Sequence, residues 1–74
     1  MADNPRLYYL HEKASKLPMT PGVYIMKDKL QDVIYVGKAQ KLKNRVSQYF
    51  VDTVSHSPKT RMMVSKIHHF DVIV

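Results

Sequence analysis

Residues 22–37 read GVYIMKDKLQDVIYVG, so that Gly22-Val23-Tyr24 opens the stretch and Tyr35-Val36-Gly37 closes it. Apolar and aromatic residues fill 22–27 and 33–37, and the polar run DKLQD lies between them. This predicts two antiparallel strands joined by a turn, although the turn lacks the Asn-Gly or Asp-Gly of a two-residue hairpin. Parity sharpens the expectation, because directly opposed residues of an antiparallel pair share a face. With Val23, Ile25, Ile34 and Val36 turned to the core, opposed residue numbers sum to 59 or 61. The first register leaves a loop at 28–31 and sets Tyr24 opposite Tyr35; the second leaves 29–32 and sets Tyr24 opposite Gly37. Both place the two tyrosines on one face, away from the core. A bulge would change the register.

The flanks read as helices and a further strand. Asn4-Pro5 is a cap-then-proline start, and Leu7, Leu10, Ala14 and Leu17 recur at helical spacing, predicting a helix over 5–16. Pro18 and Pro21 end it. Tyr8-Tyr9 are expected to pack along this helix. Residues 41–50, KLKNRVSQYF, carry Leu42, Val46, Tyr49 and Phe50 as a buried stripe, with Arg45 and Tyr49 neighbours on its flank. VDTVSHS at 51–57 reads as a loop. Ser57-Pro58 starts another helix over 58–67, whose stripe is Thr60, Met63, Val64 and Ile67, with Met62-Met63 expected as core filler. HFDVIV at 69–74 alternates as a third strand. The fold class is therefore α+β, a small antiparallel three-stranded sheet flanked by helices. The chain stops inside that strand, so a piece of something longer is expected.

Seventy-four residues form one domain at most, and a chain this short buries little over half of its unfolded surface. Without cysteine it has neither disulfides nor a cysteine-type zinc site. No apolar run is long enough to span a bilayer, and MADNPRLYYLHEK lacks the cationic start and apolar core of a signal peptide, so a cytoplasmic location is expected. Twelve Lys+Arg against six Asp+Glu give a net charge of +6. That excess points to a polyanion, either nucleic acid or an anionic membrane surface, unless it only keeps the chain soluble. The four histidines have no metal-ligand spacing and read as surface.

Tyr24 and Tyr35 on one sheet face, near Lys38, Arg45 and Tyr49, suit phosphodiester chemistry. Preorganised cations and hydroxyl donors stabilise the charge that redistributes over a phosphate in the transition state. Arg45 offers a fork for two phosphate oxygens, and Lys38 a point charge. Neighbouring cations are expected to lower the pKa of a tyrosine, which would let a phenol help deprotonate water. Taken singly, each residue has an ordinary use: strand tyrosines pack, and surface lysines are solvated.

Together the residues resemble the GIY-YIG nuclease family. The match is closest to its UvrC branch, the N-terminal domain of the UvrC component of the bacterial UvrABC excinuclease. LPMTPGVYIMKD, VIYVGKAQKLKNRVSQYF and HSPKTRMMVSKIHHFDVIV follow that branch in order and spacing, over roughly residues 14–74. The resemblance implies an endonuclease of nucleotide excision repair that hydrolyses a phosphodiester 3′ to a lesion in damaged double-stranded DNA, with one divalent ion, Mg²⁺ or Mn²⁺. It implies a UvrB-type damage-recognition protein as partner, reached through other domains. Tyr24 and Tyr35 correspond to the family's paired active-site tyrosines, one of which accepts a proton from the attacking water, with Tyr35 favoured. Lys38, Arg45 and Tyr49 correspond to its phosphate-handling residues. Gly22 and Gly37 belong to the motif, with Gly37 allowing close backbone approach. Lys38, Lys41, Lys43 and Arg45 are the expected DNA contacts.

Two departures stand out. The family's metal ligand is a glutamate on a helix after the third strand, beyond Val74, and Glu12, Asp28, Asp32 and Asp71 do not match it. The domain, residues 1–74, is thus expected to be incomplete, with no metal ligand of its own and no activity alone. Gln31-Asp32 also stands where the family often has glycine. The competing reading is a DNA-binding module without chemistry; a GIY-YIG nuclease of another branch is disfavoured by the YVGKA run.

Overall fold

The computed structural model describes residues 4–51 and 56–74. Three helices, α1 (Leu7–Ala14), α2 (Leu42–Gln48) and α3 (Pro58–Lys66), accompany three strands, β1 (Gly22–Lys27), β2 (Val33–Ala39) and β3 (His69–Ile73). The strands form one antiparallel sheet with β1 in the middle, in the order β2-β1-β3. The predicted loop at 51–57 falls largely outside the described residues.

The hairpin adopts the second of the two expected registers. Gly22 lies opposite Ala39, Tyr24 opposite Gly37 and Met26 opposite Tyr35. A bulge follows: Lys27 pairs with Val33, leaving Ile34 as the extra residue and turning it onto the core. In the turn, the Asp28 carboxylate accepts the backbone N–H groups of Leu30 and Asp32, each at 2.9 Å. Gln31 has φ 68°, the left-handed conformation in which glycine is unstrained. The glycine that the family resemblance leads one to expect in this turn would thus have a local physical reason.

The face assignment is reversed. Tyr24 and Met26, expected to point away from the core, are buried in it with Phe70 of β3, while Val36 is 54% exposed. Val23 and Ile25 are only half-buried. Both faces of β1 are apolar, so parity fixes which residues share a face but not which face is covered. The helices decide it. Leu10 and Ala14 of α1, Leu42 and Val46 of α2, Phe50, Val64 of α3 and Ile67 close over Tyr24, Met26 and Phe70 in one cluster.

The element ends explain how the helices reach that face. Helix α2 has no side-chain cap; the N–H groups of Leu42 and Lys43 instead bond to the carbonyls of Thr20 and Pro18, at 3.0 and 3.1 Å. This fixes the start of α2 beside the first glycine triplet. Helix α3 starts as expected, with Pro58 in its first turn and the Ser57 hydroxyl accepting from the Thr60 N–H. Asn4 does more than the expected cap, in a turn that precedes the first helical residue, Leu7. It accepts from the Arg6 N–H at 2.8 Å, and its buried amide donates to the carbonyls of Val64 and Ile67, tying the end of α3 to the start of α1. Tyr8 and Tyr9 are exposed rather than packed, Tyr9 lying under the Arg6 guanidinium, and Met62 is exposed while Met63 packs on the core. Neither pattern is visible in apolar spacing alone.

Candidate active site

Both motif glycines are required by contacts, not by turns. A Cβ on Gly37 would run into the Tyr24 ring, and one on Gly22 would lie 2.6 Å from both the Ile73 carbonyl and a Leu42 methyl. The expected close approach at Gly37 is therefore the approach of the first tyrosine. The missing side chain lets the Tyr24 ring lie across β2, with its hydroxyl near the sheet edge.

Three phenols gather there. The Tyr24 ring lies 6.0 Å from that of Tyr35 and 5.7 Å from that of Tyr49, centroid to centroid. The Tyr24 and Tyr49 hydroxyls share a hydrogen bond of 2.8 Å, in which either oxygen can donate. Tyr35 is the open member of the trio, 42% exposed against 2% for Tyr24. The expectation that cations depress these phenols is overturned for the two inner ones. Burial, the largest cause, pushes both Tyr24 and Tyr49 above the ordinary phenol range. The opposing pull of Arg45 is the smallest influence on each. Desolvation outweighs a nearby cation here because the guanidinium stays in water.

The cations line the approach. A groove of about 610 Å³ runs between the ends of β1 and β2 and the side of α2, and Lys38, Lys41 and Arg45 line it with the amides of Asn44 and Gln48. Lys43 does not line this groove. A smaller hollow of about 220 Å³ lies next to it, walled by Arg45, Gln48, Tyr49, His56 and Thr60. Beyond that, Tyr35 and Tyr49 face a cleft of about 700 Å³ that also carries Lys59 and Lys66 of α3. Shared walls join the three into one band: Arg45 and Gln48 border the first two, Tyr49 and Thr60 the last two. Of the expected residues, Lys38, Lys41, Arg45, Tyr49 and Tyr35 border this continuous track, and Tyr24 reaches it through its bond to the Tyr49 hydroxyl, whereas Lys43 stands outside. Asn44, Gln48 and His56 also border it. No spacing rule singled them out, because an amide on a helix flank looks like any solvated side chain.

No carboxylate among the described residues joins this group. Among the described residues, no three His, Cys, Asp or Glu side chains gather to hold a metal ion. Asp71 pairs with Ile25 in the register, which places it on the sheet face opposite Tyr24, where it contacts Lys27 at 2.8 Å and His69 at 3.1 Å. The Lys27 ammonium beside it holds its carboxyl below the usual range. Asp28 is committed to its turn, and Glu12 is exposed on α1. A magnesium ion needs one or two carboxylates besides phosphate oxygens, and the described residues do not bring one to the phenols.

The sequence of this chain matches the family model of the UvrC-like GIY-YIG domain over residues 20–74. The chain belongs to that family. It is 54% identical over 65 residues to UvrABC system protein C of Caldanaerobacter subterraneus subsp. tengcongensis, covering 88% of this chain and 10% of that protein. To the same protein of Clostridioides difficile it is 48% identical over 68 residues, covering 92% of this chain and 11% of that protein. The chain therefore spans about a tenth of the length of these curated relatives. Among solved structures it resembles the GIY-YIG N-terminal endonuclease domain of UvrC from Thermotoga maritima bound to its catalytic divalent cation, magnesium. That match has a TM-score of 0.75 and 32% identity, covering 89% of this chain and 70% of the other. Point mutants of the same domain, also bound to the cation, match equally well. The α+β architecture, with its three-stranded antiparallel sheet, is that of the UvrC GIY-YIG domain.

Proposed function

We propose that this domain is the phosphodiester-cutting part of a nucleotide excision repair endonuclease, hydrolysing the damaged strand 3′ to the lesion. The observation that carries the reading is the Tyr24–Tyr49 hydroxyl pair beside the open Tyr35, set in a track lined by Lys38, Lys41 and Arg45. Water attacks phosphorus, and the bond from phosphorus to the leaving oxygen breaks. The attacking water donates to the exposed Tyr35 oxygen, which passes its proton to solvent. Tyr49, kept protonated by burial, donates toward the phosphate, while Tyr24 holds the Tyr49 hydroxyl in place. Arg45 grips two phosphate oxygens, and Lys38 and Lys41 hold the strand beside it.

A divalent cation, magnesium or manganese, would add charge neutralisation at the phosphate. The described residues bring no carboxylate to the phenols to hold such an ion, and the family resemblance assigns that role to a glutamate outside them. A UvrB-type protein is the partner that delivers the damaged duplex, through other domains of the same polypeptide.

The test is an incision assay on a lesion-bearing duplex with Mg²⁺ and the damage-recognition partner. It compares the 74-residue chain, this domain within a full-length UvrABC system protein C, and that protein with Tyr35→Phe. Cutting 3′ to the lesion by the unmodified full-length protein alone is expected. No cutting by a folded, DNA-binding full-length protein would make the domain a DNA-binding module without chemistry.

A further inference from the structure

Among the described residues, one buried side-chain polar atom has no hydrogen-bond partner, and it belongs to a residue that the proposed chemistry leaves unused. It is Nε2 of His56. Sequence alone predicts a surface position for His56, as for the other histidines. Instead its ring packs beside Tyr49, centroids 6.2 Å apart with the planes at 35°, and forms one wall of the hollow completed by Arg45, Gln48, Tyr49 and Thr60. Buried polar groups in folded proteins are nearly always paired, so an orphan at the wall of a hollow points to a partner that arrives with a ligand.

The hollow indicates the chemistry of that partner. Arg45 gives it a cationic wall, and Tyr49, Gln48 and Thr60 supply hydroxyl and amide groups. Among the described residues no acidic side chain lines it, and the first turn of α3, which begins two residues after His56, carries none either. These surroundings favour an anion. The hollow also lies in the middle of the track, between the groove of Lys38 and Lys41 and the cleft of Tyr35. We propose that His56 is a DNA-contacting residue of the nuclease site, donating from Nε2 to a non-bridging oxygen of a backbone phosphate that enters this hollow beside Arg45. The proposal rests on the nuclease reading and adds a residue to it. His56 reads the phosphate and takes no part in bond breaking. Through its packing on Tyr49 it also links the bound strand to the phenol pair.

The test uses nuclear magnetic resonance of the 74-residue chain titrated with a short DNA duplex, following the ring signals of all four histidines and the side chains of Lys38 and Arg45. A phosphate oxygen accepting from Nε2 changes the surroundings of the ring, so the His56 ring signals are expected to shift on binding together with those of Lys38 and Arg45. His11, His68 and His69, outside the track, should not follow. In parallel, His56→Phe keeps a ring against Tyr49 without the donor, and His56→Gln keeps a donor at similar reach. About tenfold weaker DNA binding is expected for the first, the scale of one hydrogen bond to a charged group, with most of it restored in the second. If Lys38 and Arg45 respond while His56 stays unchanged, the proposal falls and the nuclease reading stands. If the duplex moves none of these signals, both fall.

Discussion

At the scale of single residues, burial rather than charge governs the site. Reading Arg45 beside Tyr49 in the sequence suggests a depressed phenol, but a sequence does not show that Tyr24 is 2% exposed with its hydroxyl against another phenol. The consequence can be measured. Tyr24 has a folded pKa raised above the ordinary 10.0. Its contribution to stability is therefore fully present below about pH 10 and is lost as pH rises through the folded value, because the unfolded chain gives up the proton first. Chemical denaturation at stepped pH should show stability falling above pH 10, less steeply in Tyr24→Phe; equal slopes would remove the linkage. Arg45 gives the opposite case, an exposed side chain to which the proposed function assigns a phosphate. Arg45→Ala should leave the thermal midpoint nearly unchanged and cut incision by the full-length protein about 10²-fold or more, the scale of losing one transition-state donor. Normal cutting by the folded variant would remove Arg45 from the site. The need for glycine at 37 was legible as a motif, and its cause, the Tyr24 ring lying where a Cβ would go, only in three dimensions.

At the scale of elements, the sequence spoke clearly where a local device sets the boundary. Ser57-Pro58 capped α3 as read, and the stripe of Leu42, Val46 and Phe50 is buried as read. It misled where tertiary context decides. The run Val23-Tyr24-Ile25-Met26 is apolar on both faces, so the side chosen by three helices outside the strand could not be read from the strand itself. Asn4 looked like a cap for the start of α1; it makes that kind of bond to the Arg6 N–H and is also a clamp on the end of α3, through contacts 60 and 63 positions away along the chain. The hairpin turn holds the clearest local strain. Gln31 adopts φ 68°, where a side chain costs about 1 kcal/mol and glycine nothing. The Asp28 carboxylate accepts two N–H groups there, which would keep the turn in shape after substitution. Gln31→Gly is therefore expected to raise stability by up to about 1 kcal/mol, partly offset by the greater freedom of the unfolded chain. That is a rise of a few degrees in the thermal midpoint of a domain this size. A lowered midpoint would mean that the side chain contributes more than its backbone conformation costs.

At the scale of the whole molecule, the two sides of the sheet differ. One carries all three helices and the closed core. The other presents Val36 and Ile73, each more than half exposed, with Val23 and Ile25 half-buried beside them. Most of the candidate site gathers on the helix side, where α2 and α3 bring the basic track across the phenols; Lys38, opposite Val23, joins it from the other face at the ends of β1 and β2, and this concentrates the consequence of a net charge of +6. Each phosphate neutralised by a lysine or arginine releases condensed counterions, so DNA affinity falls with salt along a slope of roughly 0.9 per contact. The groove positions Lys38, Lys41 and Arg45 for such contacts, while Lys43 stands outside it. Titrating the chain with duplex DNA across a range of salt should therefore give a steep slope, which Lys41→Ala lowers by about one contact. Lys43→Ala should change it little, although both substitutions remove the same charge from the chain. If the two variants lose the same slope, the +6 acts as a diffuse field and the groove does not seat the strand. If only Lys41 matters, the strand follows the track that leads from the groove past Arg45 to the three tyrosines.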